Sequence, residues 1–256
     1  MTLHYAALAS GSGGNAAVVR GGDSCLLVDC GLTIKETVRR LAALDLAPED
    51  LDALLVTHEH GDHLSGVAPL ARRYGLPVYM THGTAGRARD RNIPSLNLYH
   101  ARDQLRFGDL HVQPFTVPHD AAEPCQLIAS HGGRRFGLLT DLGHISDHVR
   151  EVIADCDALV LECNHDAQML RDGPYPPALQ RRVGGDWGHL ENRQAAGLLA
   201  GLDTPRLQHL LLAHLSARNN RPQLALQAVH EAVAAEVGER VAVLDQHSPS
   251  AWFELA

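Results

Sequence analysis

Short apolar runs alternate with polar breaks along most of the chain, and their spacing predicts the elements. LHYAALAS, AAVVRG and CLLVDCG read as strands, divided by the Gly-rich SGSGGN and the turn GGDS. Thr33 to Leu44 reads as a helix, with Thr33 and Glu36 spaced as a capping box. LDALLVT is a buried strand, His63 to Arg73 suits a helix, and LPVYM a further strand. From Leu96 to Leu139 the pattern is mostly β. Beyond that, ISDHVREVIA, NRQAAGLLAGL and PQLALQAVHEAVAAE are helical, while DALVLE, RLQHLLLAH, VAVLD and AWFEL are strands. There is no repeat of solenoid period and no low-complexity tract. β-rich stretches interleaved with helices predict two packed sheets with helices outside, in one domain spanning residues 1–256.

Composition narrows the class. Hydrophobic residues make up 45% of 256, enough for a sizeable core, but aromatics only 4%, so Leu, Val, Ala and Ile must fill it. No apolar stretch approaches the ~20 residues of a membrane helix. The start MTLHYAALASGSGG lacks the basic head and apolar centre of a signal peptide, so a cytoplasmic protein is expected. The five cysteines are scattered, without a CxxC pair, and are expected as small buried hydrophobes. A net charge of −8 argues against coating nucleic acid through bulk positive charge, though not against a local groove. Seventeen histidines are the outlier.

The histidines concentrate in LLVTHEHGDHLSG, at the end of a predicted strand. Residues two apart in an extended segment point the same way. His58 and His60 are therefore placed to grip one metal, and Asp62 and His63, at the following turn, a second. Further ligands are expected from other strand ends: His119 after FTVP, Asp141 after FGLLT and His214 after HLLLA. His58, His60 and His119 would hold one ion; Asp62, His63 and His214 the other; Asp141 could bridge them. Glu59 alternates away from the metals.

THEHGDH, with a downstream strand-end His, Asp and His, resembles the metallo-β-lactamase superfamily. The resemblance implies an αββα sandwich, an α/β fold with a dinuclear metal site at one edge of the two sheets. It also implies that Asp29 in LLVDCG supports the metal-binding loop without ligating. SGSGGN, VPHDAAEP, LLTDLG, LECNHD, GHLEN and LAHLSARNN together resemble the YycJ/WalJ group, described as DNA exonucleases acting from the 5′ end. Two positions depart from that pattern: Glu191 stands where a small hydroxyl residue is expected, and Cys163 where serine is usual.

The expected chemistry is phosphodiester hydrolysis of DNA, preferably single-stranded, to mononucleotides. Two divalent ions, Mn or Zn, would share an attacking hydroxide and neutralise phosphate oxygens, with Asp62 orienting the hydroxide. The leaving oxygen needs a proton, and His189 in GHLEN is the expected donor, its ring held by Glu162 at the end of DALVLE. This pairing resembles that of related RNA-processing nucleases. Ser10, Ser12 and Asn15 in the Gly-rich loop, and Ser216, Arg218 and Asn220 after His214, are candidate substrate contacts. Asp166 to Gly188 is Arg- and Pro-rich and could form a flap over the substrate, with Trp187 placed to stack a base or to pack in the core. The alternatives are a small-molecule thioesterase or lactonase of the same fold, or a non-catalytic metal-binding regulatory protein.

Overall fold

The structure, a computed structural model, describes residues 2–202, 206–233 and 235–256, with nothing said of the side chains of residues 235 and 236. The chain divides into two compact units. Unit 1 comprises Met1–Thr116, Ala121–Arg134 and Asp245–Ala256; unit 2 comprises Val117–Asp120 and Arg135–Leu244.

In chain order, unit 1 contains β1 (Leu3–Ala9), β2 (Ala16–Gly21), β3 (Ser24–Val28), α1 (Ile34–Ala42), β4 (Ala53–Leu55), α2 (Gly61–Leu64), α3 (Val67–Tyr74) and β5 (Val78–Thr81). It continues with α4 (His82–Arg87), β6 (Leu96–Tyr99), β7 (Leu105–Phe107), β8 (Leu110–Thr116) and β9 (Cys125–His131). The chain then builds unit 2, with β10 (Arg134–Leu139), α5 (Asp147–Ile153), β11 (Ala158–Glu162), α6 (Ala167–Asp172) and α7 (Pro177–Val183). α8 (Asn192–Ala200), β12 (His209–Ala213), α9 (Pro222–His230), α10 (Ala235–Gly238) and β13 (Val241–Val243) complete it, and β14 (Phe253–Leu255) returns to unit 1. The strands expected from the sequence are all present. α4 is an element that the hydropathy pattern did not predict.

One sheet of unit 1 runs β14-β1-β2-β3-β4-β5-β6. β14 to β3 pair antiparallel, whereas β3 to β6 pair parallel, with Val28 opposite Leu55. The shared direction puts the C-terminal ends of β3 and β4 on one rim, where Asp29 and His58 follow. β7, β8 and β9 form an antiparallel meander. The core of unit 1 is aliphatic: Leu8, Leu27, Leu41, Leu54, Val67, Leu70 and Met80 are buried in one cluster. Each such side chain stabilises the fold by about 1.5–3 kcal/mol relative to exposure. Tyr99, one of the few buried aromatics, donates its hydroxyl to the Val56 carbonyl at 3.0 Å and so clamps the chain just before the histidine motif.

Two local expectations change. Thr33 caps α1, accepting from the Glu36 N–H at 3.3 Å, but the Glu36 carboxylate pairs with Arg39 instead of reaching back. The helix expected over His63 to Arg73 is broken between α2 and α3. At Gly66 a Cβ would lie 2.0 Å from the Leu32 carbonyl oxygen, a close backbone approach that only glycine permits.

Unit 2 is built on the parallel strands β10-β11-β12-β13, with Leu139 opposite Leu161 and Glu162 opposite Ala213. Leu138, Leu139, Leu159, Leu161, Leu210 and Leu212 are buried along them, the continuous apolar run of strands covered on both faces. Within the segment Asp166 to Gly188, which could form a flap, the chain makes the short helices α6 and α7. Cys25, Cys30, Cys125, Cys156 and Cys163 are free and buried, as expected of small hydrophobes. Burial pushes their thiols up: Cys30 to about 11, Cys25, Cys125 and Cys156 to about 12, and Cys163 higher still. Among the described residues, no helix is long and apolar enough to cross a membrane.

Candidate metal centre

Both units carry their chemistry at the C-terminal ends of parallel strands. Among the described residues, four that are not glycine take a positive φ: Asp29 (58°), Asp45 (57°), Asp141 (56°) and His214 (55°). Three of them follow β3, β10 and β12 directly or by one residue. A left-handed residue thus stands at each of these three strand ends. That conformation is costly for residues with a Cβ and collects at functional sites.

In unit 1 the motif His58 to His63 is assembled around Asp29. Its Oδ1 accepts from the Thr57 N–H at 2.8 Å. Its Oδ2 accepts from the Thr57 hydroxyl and from His63 Nδ1, both at 2.8 Å. Since the Thr57 hydroxyl donates to Asp29, its oxygen is free to accept from His58 Nδ1 at 3.0 Å. The rings of His58 and His60 stand 4.7 Å apart, and those of His58 and His63 4.2 Å. Asn15 Nδ2 lies 3.0 Å from His63 Nε2 and 3.3 Å from Asp62 Oδ2, so this residue sits against the motif. Ser10 is buried and Ser12 exposed in the same loop. Glu59 turns to the Ala122 N–H at 2.8 Å, in agreement with its expected exclusion from the ligands.

In unit 2 the organising group is Glu162, fully buried at the end of β11. Its Oε1 accepts from Nδ1 of both His189 and His214 at 2.8 Å. Its Oε2 accepts from the backbone N–H groups of Leu142 and Leu190, at 2.9 and 3.0 Å. Burial opposes the carboxylate charge, but the charge on His189 and the hydrogen bonds of the two imidazoles outweigh it and hold the carboxyl at about 2. Burial likewise pulls His189 down, and the Glu162 carboxylate more than reverses this, so its pKa is raised. Asp141 Oδ1 lies 3.6 Å from Nδ1 of His189 and of His214, and 3.8 Å from His119 Nε2. One ligand atom each from Asp141, Glu162, His189 and His214 falls within 4.8 Å of the others. His119 Nδ1 donates to the Gly188 carbonyl at 3.0 Å.

A common rule emerges for His58, His63, His119 and His214. In each, Nδ1 is committed to an oxygen acceptor, so that in the neutral ring the lone pair would sit on Nε2. In unit 1 two such buried imidazoles stand with Asp62, and in unit 2 two stand with Asp141; each group offers nitrogen and carboxylate donors of the kind that suit divalent ions such as zinc or manganese.

The candidate substrate contacts after β12 differ in their freedom. Ser216 is buried, its hydroxyl accepting from the N–H groups of Arg218 and Asn219. Asn220 exchanges hydrogen bonds with Asn192 and donates to the Cys163 carbonyl. Arg218 is exposed. Glu191, the unexpected residue of GHLEN, stands at the N-cap of α8, its N–H accepted by Gln194. Sequence reasoning missed the roles of Thr57 and the Gly188 carbonyl, and the second partner of Glu162. The Thr directly before the motif was the one visible signal.

The model of the Beta-lactamase superfamily domain matches residues 25–215. The chain is 40% identical over 252 residues to exodeoxyribonuclease YycJ of Bacillus anthracis, covering 96% of each chain. It is 35% identical over 241 residues to exodeoxyribonuclease WalJ of Streptococcus pneumoniae, covering 91% of this chain and 90% of that one. The crystal structure of the metallo-β-lactamase fold protein YhfI from Bacillus subtilis matches with a TM-score of 0.75 at 18% identity, over 99% of both chains, which bears out the expected α/β fold class. The chain therefore belongs to the metallo-β-lactamase superfamily of metal-dependent hydrolases and, within it, to the YycJ/WalJ family.

Proposed function

We propose that this protein is a dimetal phosphodiesterase that degrades DNA from the 5′ end, preferably single strands, to mononucleotides. The observation that carries the reading is the hydrogen bond between Glu162 and His189: a buried carboxylate orients an imidazole beside candidate ligands and favours its charged form. Acyl hydrolysis has no evident use for such a donor, whereas an alkoxide leaving from phosphorus needs a proton. The names of the relatives YycJ and WalJ point to the same substrate.

His58, His60 and His119 would hold one divalent ion and Asp62, His63 and His214 the other, with Asp141 a candidate for both, a ligand set that the family resemblance supports. When bound, such ions lower the pKa of water and neutralise phosphate oxygens. Asp62 orients the attacking water. His189 Nε2 delivers the proton to the leaving oxygen, while Nδ1 stays on Glu162. Ser10, Ser12, Asn15, Ser216, Arg218 and Asn220 line the substrate path; exposed Arg218 supplies a positive charge for a phosphate. The chain acts in the cytoplasm.

The test incubates the pure protein, with Mn²⁺ or Zn²⁺, with 5′-labelled single- and double-stranded DNA and with thioester and lactone substrates. Labelled mononucleotide released first from single strands is the expected result. Acyl turnover without nucleotide release would overturn the reading, as would full metal occupancy with no turnover at all.

A further inference from the structure

Trp187 is 62% exposed, the most exposed large hydrophobic side chain among the described residues. The chain around it is held firmly. Its carbonyl accepts from the Asp120 N–H at 2.9 Å, and Gly188 N–H closes onto the Gly185 carbonyl at 2.8 Å. His189 N–H bonds the Val183 carbonyl at 2.8 Å. On the other side, Gly143 packs so closely that a Cβ there would lie 2.1 Å from the Asp186 carbonyl oxygen. The turn is thus fixed on every side while the indole is left in solvent.

Its neighbours have a consistent character. His144 donates Nδ1–H to the Asp186 carbonyl at 2.9 Å and presents its ring edge-on to the indole, with centroids 6.5 Å apart. Asp120, bonded through its N–H to Trp187, accepts through its carboxylate from Arg182, whose side chain is 61% exposed. Gly188, the next residue, holds His119 through its carbonyl, and the proposed proton donor His189 follows. A flat π-face, an imidazole and a guanidinium therefore gather two residues from the reacting proton.

We propose that Trp187 is the platform on which an unpaired nucleobase of the substrate stacks, and that it sets the preference for single strands. The inference rests on the nuclease reading above and names how that site selects its substrate. A base in duplex is already stacked and paired, so only a base freed from its partner offers a face to the indole.

The chain holds two tryptophans, so W252F leaves Trp187 as the sole tryptophan, whose emission can be excited selectively over that of the tyrosines. Metal-free W252F, in EDTA, is titrated with an oligo-dT octamer. Saturable quenching is expected, and none is expected on a strand of abasic residues. With metal restored, W187A should raise KM for single-stranded DNA about ten-fold, with kcat little changed. W187F should recover most of that loss, and KM for an abasic-ended strand should not move. Absent quenching, or an equal rise in KM on normal and abasic ends, overturns the platform. If wild type cleaves DNA but shows neither effect, the nuclease reading stands and the platform falls. Quenching by oligo-dT without any nucleotide release keeps the platform and sinks the nuclease.

Discussion

Asp29 in unit 1 and Glu162 in unit 2 solve the same problem with different reach. Each is a buried carboxylate at the C-terminal end of a strand that runs parallel to its neighbour, and each takes the Nδ1–H of a candidate ligand histidine. Asp29 spends its remaining capacity on Thr57, through which it also steadies His58. Glu162 spends its capacity on His189 and two backbone N–H groups. The first carboxylate therefore serves ligands alone. The second ties a candidate ligand to the proposed proton donor, so that on this reading one group would govern both metal geometry and proton delivery.

That difference can be broken in a defined order. The largest effect is expected from E162Q. The carboxylate meets four N–H donors, and an amide offers only one acceptor oxygen, so donors are left facing an NH₂ group. Activity should fall at least as far as in H189A, metal content measured by atomic emission should drop, and the protein should lose about 1–3 kcal/mol per stranded donor. Next, H189A should lower kcat by about 10²–10⁴-fold with metal content unchanged; loss of an ion would make His189 a ligand and erase the distinction between the two units. D29N is milder. Asn tolerates the left-handed backbone, the Thr57 hydroxyl can turn to accept, and only the His63 bond meets a mismatched donor. Metal affinity should weaken about 10–100-fold, with activity restored by excess metal. The smallest effect is Y99F, which strands the Val56 carbonyl at one bond. About 1 kcal/mol should be lost in urea unfolding, with kcat unaltered.

The comparison also explains what could be read beforehand. Unit 1 concentrates its ligands in six consecutive positions after one strand, so THEHGDH was legible as coordination chemistry. Unit 2 draws on residues from 119 to 214, and His119, Asp141 and His214 were legible only as isolated residues at predicted strand ends, which the resemblance then supported. The pairing of Glu162 with His189 was expected; its bond to His214 was not, because hydropathy says nothing about which rings converge on one oxygen. The left-handed turns at Asp29, Asp141 and His214 were equally silent, since none is a glycine. His119 is held by the Gly188 carbonyl, and a backbone acceptor carries no mark in the side-chain code. The break at Gly66 was missed for a related reason: the apolar period runs on through a position where the Leu32 carbonyl approaches too closely for any side chain.

The five buried thiols carry a consequence for how the molecule comes apart. With their acidity suppressed and their sulfurs out of solvent, they are silent to an alkylating reagent in the native state. Labelling then waits on opening of the backbone around each one. Cys25, Cys30 and Cys125 belong to unit 1, and Cys156 and Cys163 to unit 2. Under rising denaturant, intact-mass spectra would resolve an intermediate of three adducts if unit 1 opens first, of two if unit 2 does, and a direct step to five if both melt as one. Cys163, next to Glu162, acts as a built-in clock for the strand end that carries this carboxylate.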